Sequence, residues 1–165
     1  SGGVGSFAVQ IAKFYGAEVT GVCRTDKVDM VRSLGADQVI DHKKEDFTKG
    51  GQRYDLILDN AGQWKFSDMK KVLGPAGLIL PNSGHGGMMC VIKAFALASI
   101  SKKIEGMKEA DLNSRDFSFL KGLLETGRIK PVVDRVFSLE ETGDALRYLD
   151  SGGVKGKIVI KVHGP

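Results

Sequence analysis

The 165-residue sequence predicts an α/β fold, a doubly wound parallel sheet with helices on both faces. Three observations lead there. A glycine-rich run passes directly into helical periodicity. Short apolar stretches alternate with helical ones at the spacing of strand–helix–strand units. Near-continuous apolar runs such as Leu56-Ile57-Leu58 fit strands buried on both faces.

The chain opens on Ser1-Gly2-Gly3-Val4-Gly5, and Val4, Phe7, Ala8, Ile11, Ala12 and Tyr15 then recur with the period of one helix face. Gly16 ends that helix. An extended stretch is expected over residues 18–23, a helix over 26–34 capped by Thr25 or Asp26, and strands over 38–40 and 55–59. A short helix over 67–73 and a strand over 78–80 follow. Beyond Pro81 comes a long apolar segment, 88–104, then a helix over 113–125 that stops at Gly127. Strand-like runs at 132–137 and 157–162 flank a helix at 140–149. The chain contains no internal repeat and no low-complexity segment.

Composition excludes several classes. The 24 basic and 20 acidic residues are spread along the chain, so the net charge of +4 forms neither a nucleic-acid arm nor a polybasic membrane anchor. Cys23 and Cys90 stand far apart with no CxxC spacing, which argues against a disulfide framework and a protein-only zinc site. Both read first as small buried hydrophobes, and a reduced, cytoplasmic setting is the default expectation. The most apolar stretch, 88–100, carries Lys93 and falls short of the roughly 20 residues that span a bilayer. The expected partner is a small molecule, with no nucleic acid and no membrane.

The candidate site begins at the glycine run. Gly2, Gly3, Val4 and Gly5 stand where a Rossmann-type fold cradles a pyrophosphate, with the amides of Gly3 and Val4 facing the anion and the bare glycines permitting close approach. The competing account is a tight turn needed only for packing. The helix after the turn is present, whereas the strand that should deliver the chain to it is expected upstream of Ser1. About 20 residues further on, the second strand of such a fold usually ends in an acid that binds the ribose of NAD. This chain reads Cys23-Arg24-Thr25-Asp26-Lys27 there. Arg24, Thr25 and Lys27 point to the 2′-phosphate of NADPH, while NADH through Asp26, or plain surface cations, are the alternatives. Asn60 and Gly62 follow one predicted strand and Asn82 and Ser83 another, at the carboxyl ends where ligands bind in parallel sheets. His85 reads as an exposed loop histidine before a proton donor. No residue stands out as catalytic.

The run SGGVGSFAVQIAKFYGAEVTGVCRTDKVDMVRSLGADQVIDHKKEDF, with YDLILDNAG, GRIKPVVDRVFSLEETGDALRYLDSG and GKIVIKV, resembles the medium-chain dehydrogenase/reductase superfamily in its zinc-independent quinone oxidoreductase branch. The resemblance implies a dinucleotide-binding domain over 1–130 and a C-terminal segment, 131–165, that returns to a barrel-bearing catalytic domain upstream. It places His42 where relatives carry an aromatic residue beside the 2′-phosphate. It implies hydride transfer from NADPH, or alternatively NADH, to a quinone, enone or similar conjugated carbonyl, by a protein expected to be a homo-oligomer. The chain by itself is expected to be inactive, because the substrate cleft lies between the two domains. A zinc-dependent alcohol dehydrogenase-type parent and a non-catalytic NAD(P)-binding module are the alternatives. Short-chain reductases fit less well, because no tyrosine has a lysine four residues later.

Overall fold

A computed structural model describes residues 1–82 and 113–162. Ser83, His85, Cys90 and the apolar segment 88–104 lie outside the described residues. The chain divides into two compact units, Ser1–Glu45 with Asn113–Pro165, and Asp46–Leu112.

In the first unit, α1 spans Gly5–Phe14. Gly16 ends it at φ +78°, a left-handed conformation open to glycine, with Gly16 N–H donating to Lys13 O and Ala17 N–H to Ala12 O. Strand β1 (Thr20–Cys23) pairs in parallel with β2 (Gln38–Asp41), so that Cys23 stands opposite Asp41. The connection is a 3-10 turn, Thr25–Lys27, followed by α2, Val28–Ser33. A parallel pair needs such a crossover, because a tight hairpin reverses direction. Val9, Cys23, Val31 and Ala36 form the core of this layer. Gly21 admits α2 at close range: a Cβ there collides with Val31.

Two expectations change here. The helix over 26–34 starts as a 3-10 turn whose N-cap position is Arg24, and no side chain caps it. Asp26 is turned to Arg24 and Thr25 to Asp41 instead. The apolar stripe on α1 is also displaced. Ser6 and Val9 are the buried residues, while Val4 and Tyr15 are exposed. This helix carries apolar residues nearly all round, so its periodicity fits more than one face, and contact with β1 and α2 selects one.

The same unit contains α4 (Ser114–Glu125), β5 (Val133–Ser138), α5 (Thr142–Asp150) and β6 (Lys157–Lys161). Asn113 caps α4 by accepting from the Asp116 amide at 2.8 Å. Strands β5 and β6 pair with each other in parallel. Tyr148 of α5 donates to Asp134 at 2.8 Å, and the Arg135 guanidinium lies 4.1 Å from its ring centre. Gln10 joins α1 to the segment after α4, exchanging hydrogen bonds with the Lys130 carbonyl and amide at 2.9 and 2.8 Å.

In the second unit, β3 (Tyr54–Asp59) pairs in parallel with β4 (Leu73–Pro81), connected through α3 (Phe66–Lys71). Strand β4 is longer than the predicted 78–80 and carries a register irregularity between Tyr54 and Leu56 on its partner. Ile79, Met69 and Phe47 are buried here. Leu56 and Leu58 were expected to be buried with Ile57, yet they are 54% and 39% exposed. Successive strand residues face opposite sides, so Ile57 and its neighbour Ile79 share one face while Leu56 and Leu58 share the other.

Candidate functional site

The first half of the site is the turn into α1. Ser6 N–H donates to Gly2 O and Ala8 N–H to Val4 O, both at 3.0 Å, which closes the first helical turn. Gly2 forms a parallel bridge with Gly156, which engages the Gly3 amide, while among the described residues the amides of Val4 and Gly5 find no acceptor, as a helix start requires. They leave the positive end of the helix dipole open to an anion. A Cβ on Gly2 meets nothing within 4 Å, so the backbone there is open to close approach. The position above Gly3 holds a side chain: a Cβ built on Gly3 lies 2.7 Å from Lys157 Nζ. An ammonium group from the start of β6 therefore sits over the glycine turn. The Ser6 hydroxyl, in the first turn of α1, is buried without a hydrogen-bond partner among the described residues. Spacing alone did not single out Lys157, because more than 150 residues separate it from Gly3.

The second half is the carboxyl end of β1. Arg24 Nε and Nη2 contact Asp26 Oδ1 and Oδ2 at 3.0 and 3.2 Å, a two-pronged pair with both side chains near 40% exposed. The Arg24 hydrogen bond holds the Asp26 carboxyl below its usual pKa. Lys27 departs from the expectation of a phosphate-facing cation. It is 6% exposed, and its Nζ donates to Val154 O at 2.6 Å and Gly152 O at 3.4 Å. Burial, reinforced by the neighbouring Arg24 charge, pushes its pKa down. The physical reason is that the first turn of α2 faces the loop between α5 and β6, whose carbonyls capture the ammonium. Thr25 stands in the turn, and its hydrogen bond is the main cause of the lowered pKa of Asp41. His42 follows Asp41, and its amide donates to Cys23 O at 3.0 Å, which sets it beside the end of β1. Burial pushes the Cys23 thiol up, in keeping with a small core residue.

The second unit holds its own set. Asp59 accepts from the amides of Ala61 and Gly62 at 3.0 and 2.8 Å, which fixes the turn after β3. Asn82 Nδ2 donates to Asn60 Oδ1 at 2.7 Å, and Asn82 N–H donates to Asp59 O at 2.8 Å. Two residues singled out separately in the sequence, Asn60 and Asn82, are thus joined across adjacent strand ends. Among the described residues no group of three or more His, Cys, Asp or Glu side chains is placed to hold a metal ion. No helix among them is long and apolar enough to cross a membrane.

Parallel strands joined through helices, with a glycine turn at the start of α1, define the class: the nucleotide-binding half of a Rossmann-type α/β protein. The zinc-binding dehydrogenase family model matches residues 34–160, and the chain belongs to this family, within the medium-chain dehydrogenases/reductases. A trans-enoyl reductase of Aspergillus terreus is 34% identical over 183 residues, covering 98% of this chain and 49% of the relative. A mitochondrial NAD(P)H oxidoreductase of Mus musculus is 31% identical over 182 residues, covering 98% and 46%. The quinone oxidoreductase structure from Coxiella burnetii superposes with a TM-score of 0.82 at 25% identity, covering 98% of this chain and 50% of that one. The chain spans about half the length of these relatives.

Proposed function

We propose that this chain binds a nicotinamide dinucleotide, NADPH by preference and NADH as the alternative, for a protein that reduces quinones, enones or similar conjugated carbonyls. The observation that carries the reading is the ammonium of Lys157 above a glycine turn in which the Val4 and Gly5 amides lack acceptors. A cation and a row of amides at a helix start fit a pyrophosphate better than any neutral ligand. Gly2, Gly3, Val4 and Gly5 hold that group with Lys157. Arg24, with Thr25 and His42 at the adjoining strand ends, meets the adenosine ribose. Lys27 serves the fold. In the other unit, taken by itself, Asn60, Gly62 and Asn82 stand at strand ends, and the amides of the two asparagines suit a carboxamide or ribose hydroxyl. When bound, the reduced nicotinamide supplies the hydride; the chain's own residues bind and orient it. The similarity to an enoyl reductase and to an NAD(P)H oxidoreductase supports the choice of reaction.

The test is titration of NADPH and NADH into the protein, followed by nicotinamide fluorescence. Replacing Lys157 by alanine is expected to weaken both cofactors by about 3- to 30-fold, since both carry the pyrophosphate and the contact is partly solvated. Unchanged affinity for both overturns the assignment.

A further inference from the structure

We propose that Asp134 is a positioning residue for the cofactor site: from a slip in the register of β5 it holds the loop ahead of β6, and through that loop it sets the Lys157 ammonium over the glycine turn. This rests on the cofactor reading above, in which Lys157 meets the pyrophosphate. The loop, residues 151–156, joins α5 to β6 and has no helix or strand of its own. Contacts from outside it therefore fix its course. At its far end, Gly156 bridges Gly2 and its N–H donates to Ser1 O at 3.2 Å. Just before that, the Lys155 amide donates to Asp134 Oδ2 at 2.9 Å, and the same oxygen accepts from the Tyr148 hydroxyl of α5 at 2.8 Å. Asp134 reaches both donors because the ladder slips beside it. Val133 pairs with Lys157 and Arg135 with Ile158, which leaves Asp134 as an extra residue on β5. A slip of this kind bends the strand and re-aims the side chain it carries. Here it turns a carboxylate onto the amide two residues ahead of Lys157, whose Nζ lies 2.7 Å from a Cβ built on Gly3. A long flexible side chain binds an anion more tightly when its backbone is already held, because less freedom is lost on binding. As an anion itself, Asp134 is unsuited to touch a pyrophosphate, so its effect runs through Lys157. One acceptor oxygen performs the task, and an asparagine carbonyl offers the same two lone pairs.

The experiment measures dissociation constants for NADPH and NADH with the parent protein and with Asp134→Leu, Asp134→Asn and Tyr148→Phe, each alone and combined with Lys157→Ala, at one ionic strength. Asp134→Leu removes the acceptor and is expected to weaken both cofactors alike by about 2- to 10-fold, the range of a net hydrogen bond. Asp134→Asn restores both affinities to within about twofold of the parent, since its carbonyl accepts from the Lys155 amide and from Tyr148. In the Lys157→Ala background Asp134→Leu changes affinity by less than about twofold, because the group that it positions is gone. Tyr148→Phe loosens the carboxylate without removing it and gives a smaller weakening that likewise vanishes with Lys157→Ala; it carries the test where Asp134→Leu does not fold. If Asp134→Leu leaves the parent affinities unchanged, if its loss is as large without Lys157 as with it, or if Asp134→Asn does not restore binding, the inference is overturned while the cofactor reading stands. If Lys157→Ala alone leaves both affinities unchanged, the cofactor reading fails at Lys157 and this inference with it.

Discussion

Replacing Lys27 by methionine separates a structural cation from a ligand-binding one. The side chain is 6% exposed and its ammonium donates to Val154 O at 2.6 Å, with Gly152 O more distant at 3.4 Å. Methionine keeps most of the stem and deletes the donor. One short charge-assisted hydrogen bond contributes about 1.5–3 kcal/mol net, and the carbonyls left behind lose their partner. Relief from holding a charge in a buried place offsets part of that loss. The expected destabilisation is about 1–3 kcal/mol, or roughly 2–10 °C in Tm for a chain of this size. Urea denaturation measures it, and cofactor titration accompanies it. On the proposed cofactor reading the ratio of NADPH to NADH affinity should stay unchanged, because the ammonium is held by the Val154 and Gly152 carbonyls. The pH dependence adds a second signature. The folded-state pKa of Lys27 lies below its ordinary 10.5, chiefly through desolvation. Between those two values the unfolded chain binds more protons, so this residue makes stability rise with pH there, and the methionine variant lacks the rise. A selective loss of NADPH affinity with unaltered stability refutes the reasoning and returns Lys27 to the cofactor site.

Gly21→Ala places a methyl group against Val31, which is 2% exposed and unable to retreat, so an overpacking cost of about 1–3 kcal/mol is expected in the denaturation midpoint. Asp37 accepts from Lys13 Nζ at 2.8 Å and from the Val19 amide at 2.7 Å, and these hydrogen bonds, that from Lys13 foremost, hold its pKa below the usual 3.8. Its contribution to stability is present above pH 3.8 and lost as pH falls through the folded-state value. Asp37→Asn should therefore flatten the acid limb of a melting-temperature profile, and an unaltered limb contradicts the assignment.

The local grammar of the fold was legible from residues 1–45 alone. A helix begins where the glycine run ends and stops at Gly16; a strand follows and ends at Cys23, where the candidate ribose-binding residues stand. These features depend on periodicity and on the backbone freedom of glycine, both properties of neighbouring residues. The resemblance to the dehydrogenase family was legible too, because it rests on motifs kept in order along the chain. The expected burial of Leu56 and Leu58 failed, since a run of apolar residues records that a strand is buried somewhere without recording which face is covered.

Which cations are available to a ligand was decided by tertiary structure. Arg24 and Lys27 sit three residues apart and look alike in the sequence, yet one stays at the surface on Asp26 while the other is drawn into the carbonyls of a loop 125–127 residues further along. Lys157, which no local pattern marked, arrives above Gly3 because β6 begins beside the glycine turn, where Gly2 and Gly156 form a parallel bridge. Sequence determines where charge is placed along the chain. Only packing decides whether that charge ends up paired, buried or open to an anion, because burial and partners are set by contacts between distant segments.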